Sequence, residues 1–149
     1  MDNLGIIELM RGDSYSSPIV INIGNKLYPN YYKLQGNDKL YFGLMEPNQA
    51  FEDAVMKKRF TVADPTDSEG NTLLIINPRD TEKLLVGKYY YMIKLVITDA
   101  FGNEQVRTII PPTLFWLLGN NPTKQETPYF KDEEDEVPGR IIFEGGEIV

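Results

Sequence analysis

Lys88-Tyr89-Tyr90-Tyr91-Met92-Ile93-Lys94-Leu95-Val96-Ile97-Thr98 is the stretch that decides the fold. Its alternate members Tyr89, Tyr91, Ile93, Leu95 and Ile97 are all apolar or aromatic. The intervening Lys88, Tyr90, Met92, Lys94, Val96 and Thr98 are mixed. A period of two puts the first set on one face of an extended strand, and that face is expected to cover the core.

Downstream, Asp99-Ala100-Phe101-Gly102-Asn103-Glu104 is a turn cluster, with Gly102 and Asn103 suited to positive φ. Gln105 to Ile110 resumes as a strand and makes a hairpin. Pro111-Pro112 interrupts its ladder, because proline donates no amide hydrogen. Thr113 to Leu118 carries the single Trp and reads as a final strand, or as the same strand continued past a bulge. Upstream, Leu84-Leu85-Val86-Gly87-Lys88-Tyr89 fits L-x-x-G-x-Y, the spacing of a tyrosine corner in Greek-key sandwiches. There the Leu plugs the core and the Tyr hydroxyl bonds back to upstream backbone.

Further strands are predicted at Pro18 to Ile23, Lys39 to Met45, Val55 to Val62 and Thr72 to Ile76, with an edge strand at Gly5 to Met10. Pro47 to Ala54 and Pro78 to Leu85 each suit a helical turn. Seven or eight short strands punctuated by Gly, Pro, Asn and Asp predict an all-β sandwich over residues 1–119.

The 149 residues contain neither cysteine nor histidine. Disulfides, thiolate catalysis, histidine zinc sites and a Ser-His-Asp triad are therefore excluded. Glu52-Asp53 is an adjacent carboxylate pair of the type glycosidases separate across a sugar, and a surface position is the better reading. Asp64-Pro65-Thr66-Asp67-Ser68-Glu69-Gly70-Asn71 gathers oxygen side chains but departs from the EF-hand pattern, so a solvated hairpin loop is expected rather than a Ca²⁺ site. Arg11-Gly12-Asp13 matches an integrin tripeptide in letters only and reads as a polar turn. No catalytic residue, metal ligand or cofactor is expected, and the chain is expected not to be an enzyme.

Net charge is −7. Residues 129–149 hold −5 of it, and the body is almost neutral. Nucleic-acid binding is not expected without a basic face; the single basic run is Lys57-Lys58-Arg59. No stretch approaches the roughly 20 apolar residues that span a bilayer. The opening MDNLGIIELM lacks a basic region and a long apolar run, so no membrane partner and no signal peptide are expected.

After Gly119 the composition changes to a polar, breaker-rich linker and an acidic run, Asp132 to Glu136. Ile141-Ile142-Phe143 follows as a short apolar island that suits addition to a sheet edge on another subunit. Residues 120–149 are thus expected to form a linker and an acidic extended tail that docks through Ile141, Ile142 and Phe143. Tyr28, Tyr31 and Tyr32, in the stretch Tyr28-Pro29-Asn30-Tyr31-Tyr32, are the candidate surface contacts for a sugar or protein.

The run Arg11-Gly12-Asp13-Ser14, the strand entry Gly36 to Phe42, Asp80-Thr81-Glu82-Lys83-Leu84, Gly87 to Tyr91 and the Asp99 to Asn103 turn resemble small phage proteins. They look like the immunoglobulin-like N-terminal domain of baseplate upper proteins and related virion accessory domains. The resemblance spans roughly residues 6 to 118. It implies an immunoglobulin-like antiparallel β-sandwich in the virion, a non-enzymatic structural or accessory component of a tailed bacteriophage. Its partners would be other virion structural proteins, in a homo-oligomer or symmetric assembly. The alternative is a carbohydrate- or receptor-binding module of a phage or cell-surface adhesion apparatus.

Overall fold

A computed structural model describes residues 4–120. The segment expected to dock, with Ile141, Ile142 and Phe143, lies outside the described residues. The fold is mostly β, with a curled sheet. Its strands are β1 (Ile7–Met10), β2 (Tyr15–Pro18), β3 (Ile21–Asn22), β4 (Tyr31–Tyr32), β5 (Lys39–Met45), β6 (Met56–Phe60), β7 (Leu73–Ile76), β8 (Gly87–Thr98) and β9 (Glu104–Leu118). A single helical turn, α1 (Pro78–Thr81), precedes β8, and a 3-10 turn spans Phe51–Asp53. Five strands form one sheet in the order β1-β9-β8-β5-β6. β2 and β7 pair separately, as do β3 and β4. All pairings are antiparallel except β1 with β9.

The alternation in β8 works as its sequence predicts. Tyr89, Tyr91, Ile93 and Leu95 are buried, while Tyr90, Met92, Lys94 and Val96 are half-buried on the other face. Phe42 stacks on Tyr91 with ring centroids 5.8 Å apart, and Phe115 meets Tyr91 edge-on at 6.4 Å. Leu74 and Ile76 of β7, with Ile19 and Ile21, join the same apolar cluster from the other side. Removing side chains of this size from water is the main favourable term in folding, worth about 1.5–3 kcal/mol each.

The two segments around Pro111-Pro112 are one strand. The β8–β9 register runs Tyr91↔Thr113, Ile93↔Ile110, Lys94↔Thr108, so β9 carries an extra residue in each step. A single extra residue flips every later side chain to the other face. The first bulge turns Ile110 inward, opposite Ile93. The second, at the prolines, restores the phase so that Phe115 and Leu117 also point inward.

The predicted strand over residues 18–23 is divided. β2 ends at Pro18, and the amide of Ile19 makes a last bond to the Thr72 carbonyl at 2.8 Å. The chain then leaves β7, and Ile21 and Asn22 pair with Tyr32 and Tyr31 instead. Pairing moves from one partner to another while burial continues through Ile19, Val20 and Ile21.

The L-x-x-G-x-Y motif has the geometry of a tyrosine corner. Tyr89 is buried and its hydroxyl donates to the Leu85 carbonyl at 2.5 Å. Leu84 packs against the core. Arg11 and Gly12 lock onto the same corner. The Arg11 guanidinium donates to the carbonyls of Glu82 at 2.7 Å and Asn120 at 2.6 Å, and the Gly12 amide donates to Thr81 Oγ1 at 2.8 Å. The tripeptide at 11–13 is therefore a turn whose arginine is occupied within the fold.

Candidate functional site

Three loops leave the same end of the five-stranded sheet: residues 23–38, 61–72 and 99–103. β5 starts there, where Lys39 lies opposite Val96, and β6 ends there, where Phe60 lies opposite Leu40. Two of these loops close on the same five-residue turn, Asp-x-x-Gly-Asn. In Asp67–Asn71 and in Asp99–Asn103, one aspartate oxygen accepts the amides of the third and fifth residues at 2.8–2.9 Å. The other accepts the asparagine side-chain amide at 3.2 Å in both. The glycines take φ of +85° and +84°, a region other residues rarely adopt.

The carboxyls of Asp67 and Asp99 are held below the usual carboxylate range, chiefly by the backbone amides of Asn71 and Asn103. Three N–H groups of its own turn thus donate to each carboxylate. The Asp64–Asn71 loop is built as a hairpin turn. Glu52 and Asp53 sit in the 3-10 turn with exposed side chains. That turn lays Phe51 over the outer sheet face at Gly43, with the Lys94 ammonium 4.9 Å from the ring centroid.

The β3–β4 hairpin is the most organised of the loops. Asn22 Oδ1 accepts the amides of Gly24 at 2.9 Å and Asn30 at 2.8 Å. Asn25 Oδ1 accepts the Tyr28 amide at 2.7 Å. Arg107 reaches from β9 and donates to the Ile23 carbonyl at 3.1 Å. These bonds hold an exposed tip on which Leu27 and Tyr28 are 76% and 73% accessible and Tyr31 is 45% accessible. Tyr32 behaves differently. It is half-buried, packs against the core, and its hydroxyl donates to the buried Asp38 carboxylate. Burial, with Asp38 alongside, pushes the Tyr32 hydroxyl above its usual pKa. Of the three candidate tyrosines, then, Tyr28 and Tyr31 are displayed and Tyr32 anchors the hairpin that displays them.

A second surface lies on the outer face of β1 and β9. Ile7 and Leu9 point inward, so Ile6, Glu8 and Met10 point outward. Glu8 pairs with Trp116 and Met10 with Leu118, both on the outward face of β9. Ile6, Met10 and Leu118 are exposed and Trp116 is partly so. Leu27 and this stripe escape a reading of periodicity. The alternation in Ile6 to Met10 marks a strand but has apolar residues on both faces. Leu27 is a lone apolar residue in a polar run, Gly24-Asn25-Lys26-Leu27, and that isolation is the signal that would have found it.

No protein-family model matches the chain, and no curated protein matches its sequence.

Proposed function

We propose that this chain is a non-enzymatic structural component of a tailed bacteriophage virion. It folds as an immunoglobulin-like β-sandwich and binds other virion proteins through its outer sheet face and its C-terminal tail. The strand order supports the fold: the pair β2-β7 stands apart from β9-β8-β5-β6, as strands B and E stand apart from G, F, C and C′ in immunoglobulin-like domains. The tyrosine corner before β8 supports the same reading. The observation that carries the function is the apolar stripe of Ile6, Met10, Trp116 and Leu118. Exposed apolar side chains grouped on one sheet face around Glu8 suit burial against a neighbouring subunit.

The test uses particles assembled with altered copies. Replacing Met10 and Leu118 by Glu, or removing residues 120–149, leaves a folded chain that no longer enters particles. Normal loading of both variants defeats the proposal.

The β3–β4 tip supports a second reading, a glycan- or receptor-binding module. Aromatic side chains held on a hydrogen-bonded hairpin lose little entropy on binding a sugar or protein. Glycan binding that disappears in Tyr28→Ala with Tyr31→Ala supports it. Absence of binding to any host surface polysaccharide defeats it.

A further inference from the structure

The sequence holds a single basic run, Lys57-Lys58-Arg59, yet the fold gathers a wider basic face. β6 sends Lys57 and Arg59 to the outer side of the five-stranded sheet, while Met56 and Phe60 are buried on the inner side and Lys58 pairs with Asp80 at 2.8 Å. Tyr41 lies opposite Arg59, and Lys94 lies opposite Tyr41. Arg59, Tyr41 and Lys94 thus form one row across β6, β5 and β8, about 10 Å long at ordinary strand spacing. Lys39 stands two residues from Tyr41 on the same face. Among the described residues none of Lys39, Lys57, Arg59 and Lys94 has a carboxylate at ion-pair distance. The 3-10 turn over Gly43 brings two acids, Glu52 and Asp53, against these four cations.

Among the described residues β6 is also the last strand of that sheet, with β5 on one side only. Its other edge carries backbone donors and acceptors that suit one more strand. Lysine on an edge strand serves by itself to keep sheets from pairing with each other. That role does not account for Lys39 and Lys94, which lie one and two strands in from the edge. Two such edges from separate copies repel, because like charges opposite each other weaken strand pairing. We infer that the β6 edge and the basic face beside it receive an extended acidic segment of another protein, added as a further strand. A polypeptide can satisfy the edge with its own backbone, which a nucleic acid or a polysaccharide cannot do. The period of two sets the character of the segment. Side chains standing beside Lys57 and Arg59 are acidic and two residues apart. The residue between them faces the side of buried Met56 and Phe60, and is apolar. Backbone bonds fix the register, and the cations select the partner. Exposed ion pairs are individually weak, so Lys39 and Lys94 contribute through the summed field of the face. The inference names a partner by its chemistry and does not rest on the virion reading.

The probe is a capped synthetic peptide of alternating Glu and Val, titrated into the full chain at low ionic strength while amide hydrogen exchange is read on the segment 56–60. Expected is saturable binding that slows exchange at least about tenfold at the β6 amides not bonded to β5. Lys57→Glu with Arg59→Glu is expected to weaken binding at least about tenfold, and to admit a Lys-Val peptide that the parent chain rejects. Lys39→Gln with Lys94→Gln is expected to weaken it roughly threefold. A peptide of alternating Glu and Pro keeps the charge but has fewer amide donors, and is expected not to bind. Equal binding of the Glu-Pro peptide means that charge alone attracts it, and overturns the added strand. Failure of the Glu-Val peptide to bind overturns the inference outright. So does slow exchange at the same amides in the peptide-free chain, which means that this chain or a second copy already fills the edge. Tighter binding of an oligothymidylate than of the Glu-Val peptide overturns the protein partner in favour of a nucleic acid. Particle incorporation is not part of the readout, so this result and the fate of the virion proposal are separable.

Discussion

The hydroxyl of Tyr91 donates to the carbonyl of Gly5 at 2.5 Å, tying the middle of β8 to the chain just before β1. The two residues are 86 apart in sequence. The Tyr91 ring is fully buried, and burial pushes its hydroxyl well above the usual tyrosine range.

Tyr91→Phe keeps the ring and removes the bond. It is expected to cost about 1 kcal/mol, the net worth of one intramolecular hydrogen bond, since Gly5 is exposed and water can replace the lost donor. Tyr89→Phe, which breaks the corner bond to Leu85, is expected to cost about 1 kcal/mol. The two bonds share no partner, so the double variant should lose roughly the sum. Urea unfolding of the three variants checks this, and a Tyr91→Phe midpoint equal to the parent's counts against the Gly5 tie.

The bulges in β9 make a sharper prediction. Deleting Pro112 alone removes one extra residue and leaves a regular ladder, with Ile110 opposite Ile93 and Thr113 opposite Tyr91. That variant should fold. Deleting both prolines reverses the phase and turns Phe115 and Leu117 out of the core. Losing a buried Phe and a buried Leu costs about 3–5 and 2–5 kcal/mol respectively, which a domain stabilised by about 5–15 kcal/mol survives poorly. Near-ultraviolet circular dichroism distinguishes the two, and equal folding of both deletions sinks the register account.

At acid pH, Asp67 and Asp99 should govern part of the stability. Their folded pKa values lie below the unfolded value of 3.8. Their contribution is present above that value and is lost as pH falls through the folded values. Asp67→Asn with Asp99→Asn removes the titrating groups. The variant's urea midpoint should therefore fall less steeply than the parent's below about pH 4. At alkaline pH the sign reverses for Tyr32, Tyr89 and Tyr91, whose folded values are raised by burial. Their stabilisation is present below the unfolded value of 10.0 and is lost as pH rises through the folded values. Identical acid limbs for parent and double variant would contradict the turn account.

Gly24→Ala tests whether the β3–β4 tip is rigid. A Cβ there would lie 2.3 Å from the Tyr28 carbonyl oxygen and 2.8 Å from the Asn30 amide nitrogen, both backbone atoms that cannot swing away. The tip must distort, while the core stays intact. Any ligand of Tyr28 and Tyr31 should bind at least about tenfold more weakly, the equivalent of about 1.4 kcal/mol. Tyr32→Phe should instead lower stability, since it takes the donor from the buried Asp38. Titration calorimetry and thermal unfolding separate the two effects.

Much of the architecture was legible in short runs of residues. The alternation in Tyr89 to Ile97, the turn at Asp99 to Asn103, the strand Lys39 to Met45 and the corner motif at Leu84 to Tyr89 all appear in the structure where local chemistry places them. The Asp64 to Asn71 loop and the Asp99 to Asn103 turn were each legible as turns, whereas their common Asp-x-x-Gly-Asn hydrogen-bonding pattern emerged from the structure. Partner choice was not. Nothing local reveals that Ile21-Asn22 pairs with Tyr31-Tyr32, or that β1 runs parallel to β9.

By itself the amino-acid order determined which side chains alternate, where glycine and asparagine turn the chain, and that chemistry based on thiol or imidazole is excluded. Those properties depend on a residue and its near neighbours, because strand period and turn geometry act over a few bonds. Only the tertiary structure decided that Tyr32 anchors while Tyr28 and Tyr31 are displayed, that Arg11 is occupied, and that among the described residues β6 pairs on one side only. Each of those depends on which distant group arrives alongside: Asp38 beside Tyr32, Glu82 and Asn120 around Arg11, and no described strand beyond β6.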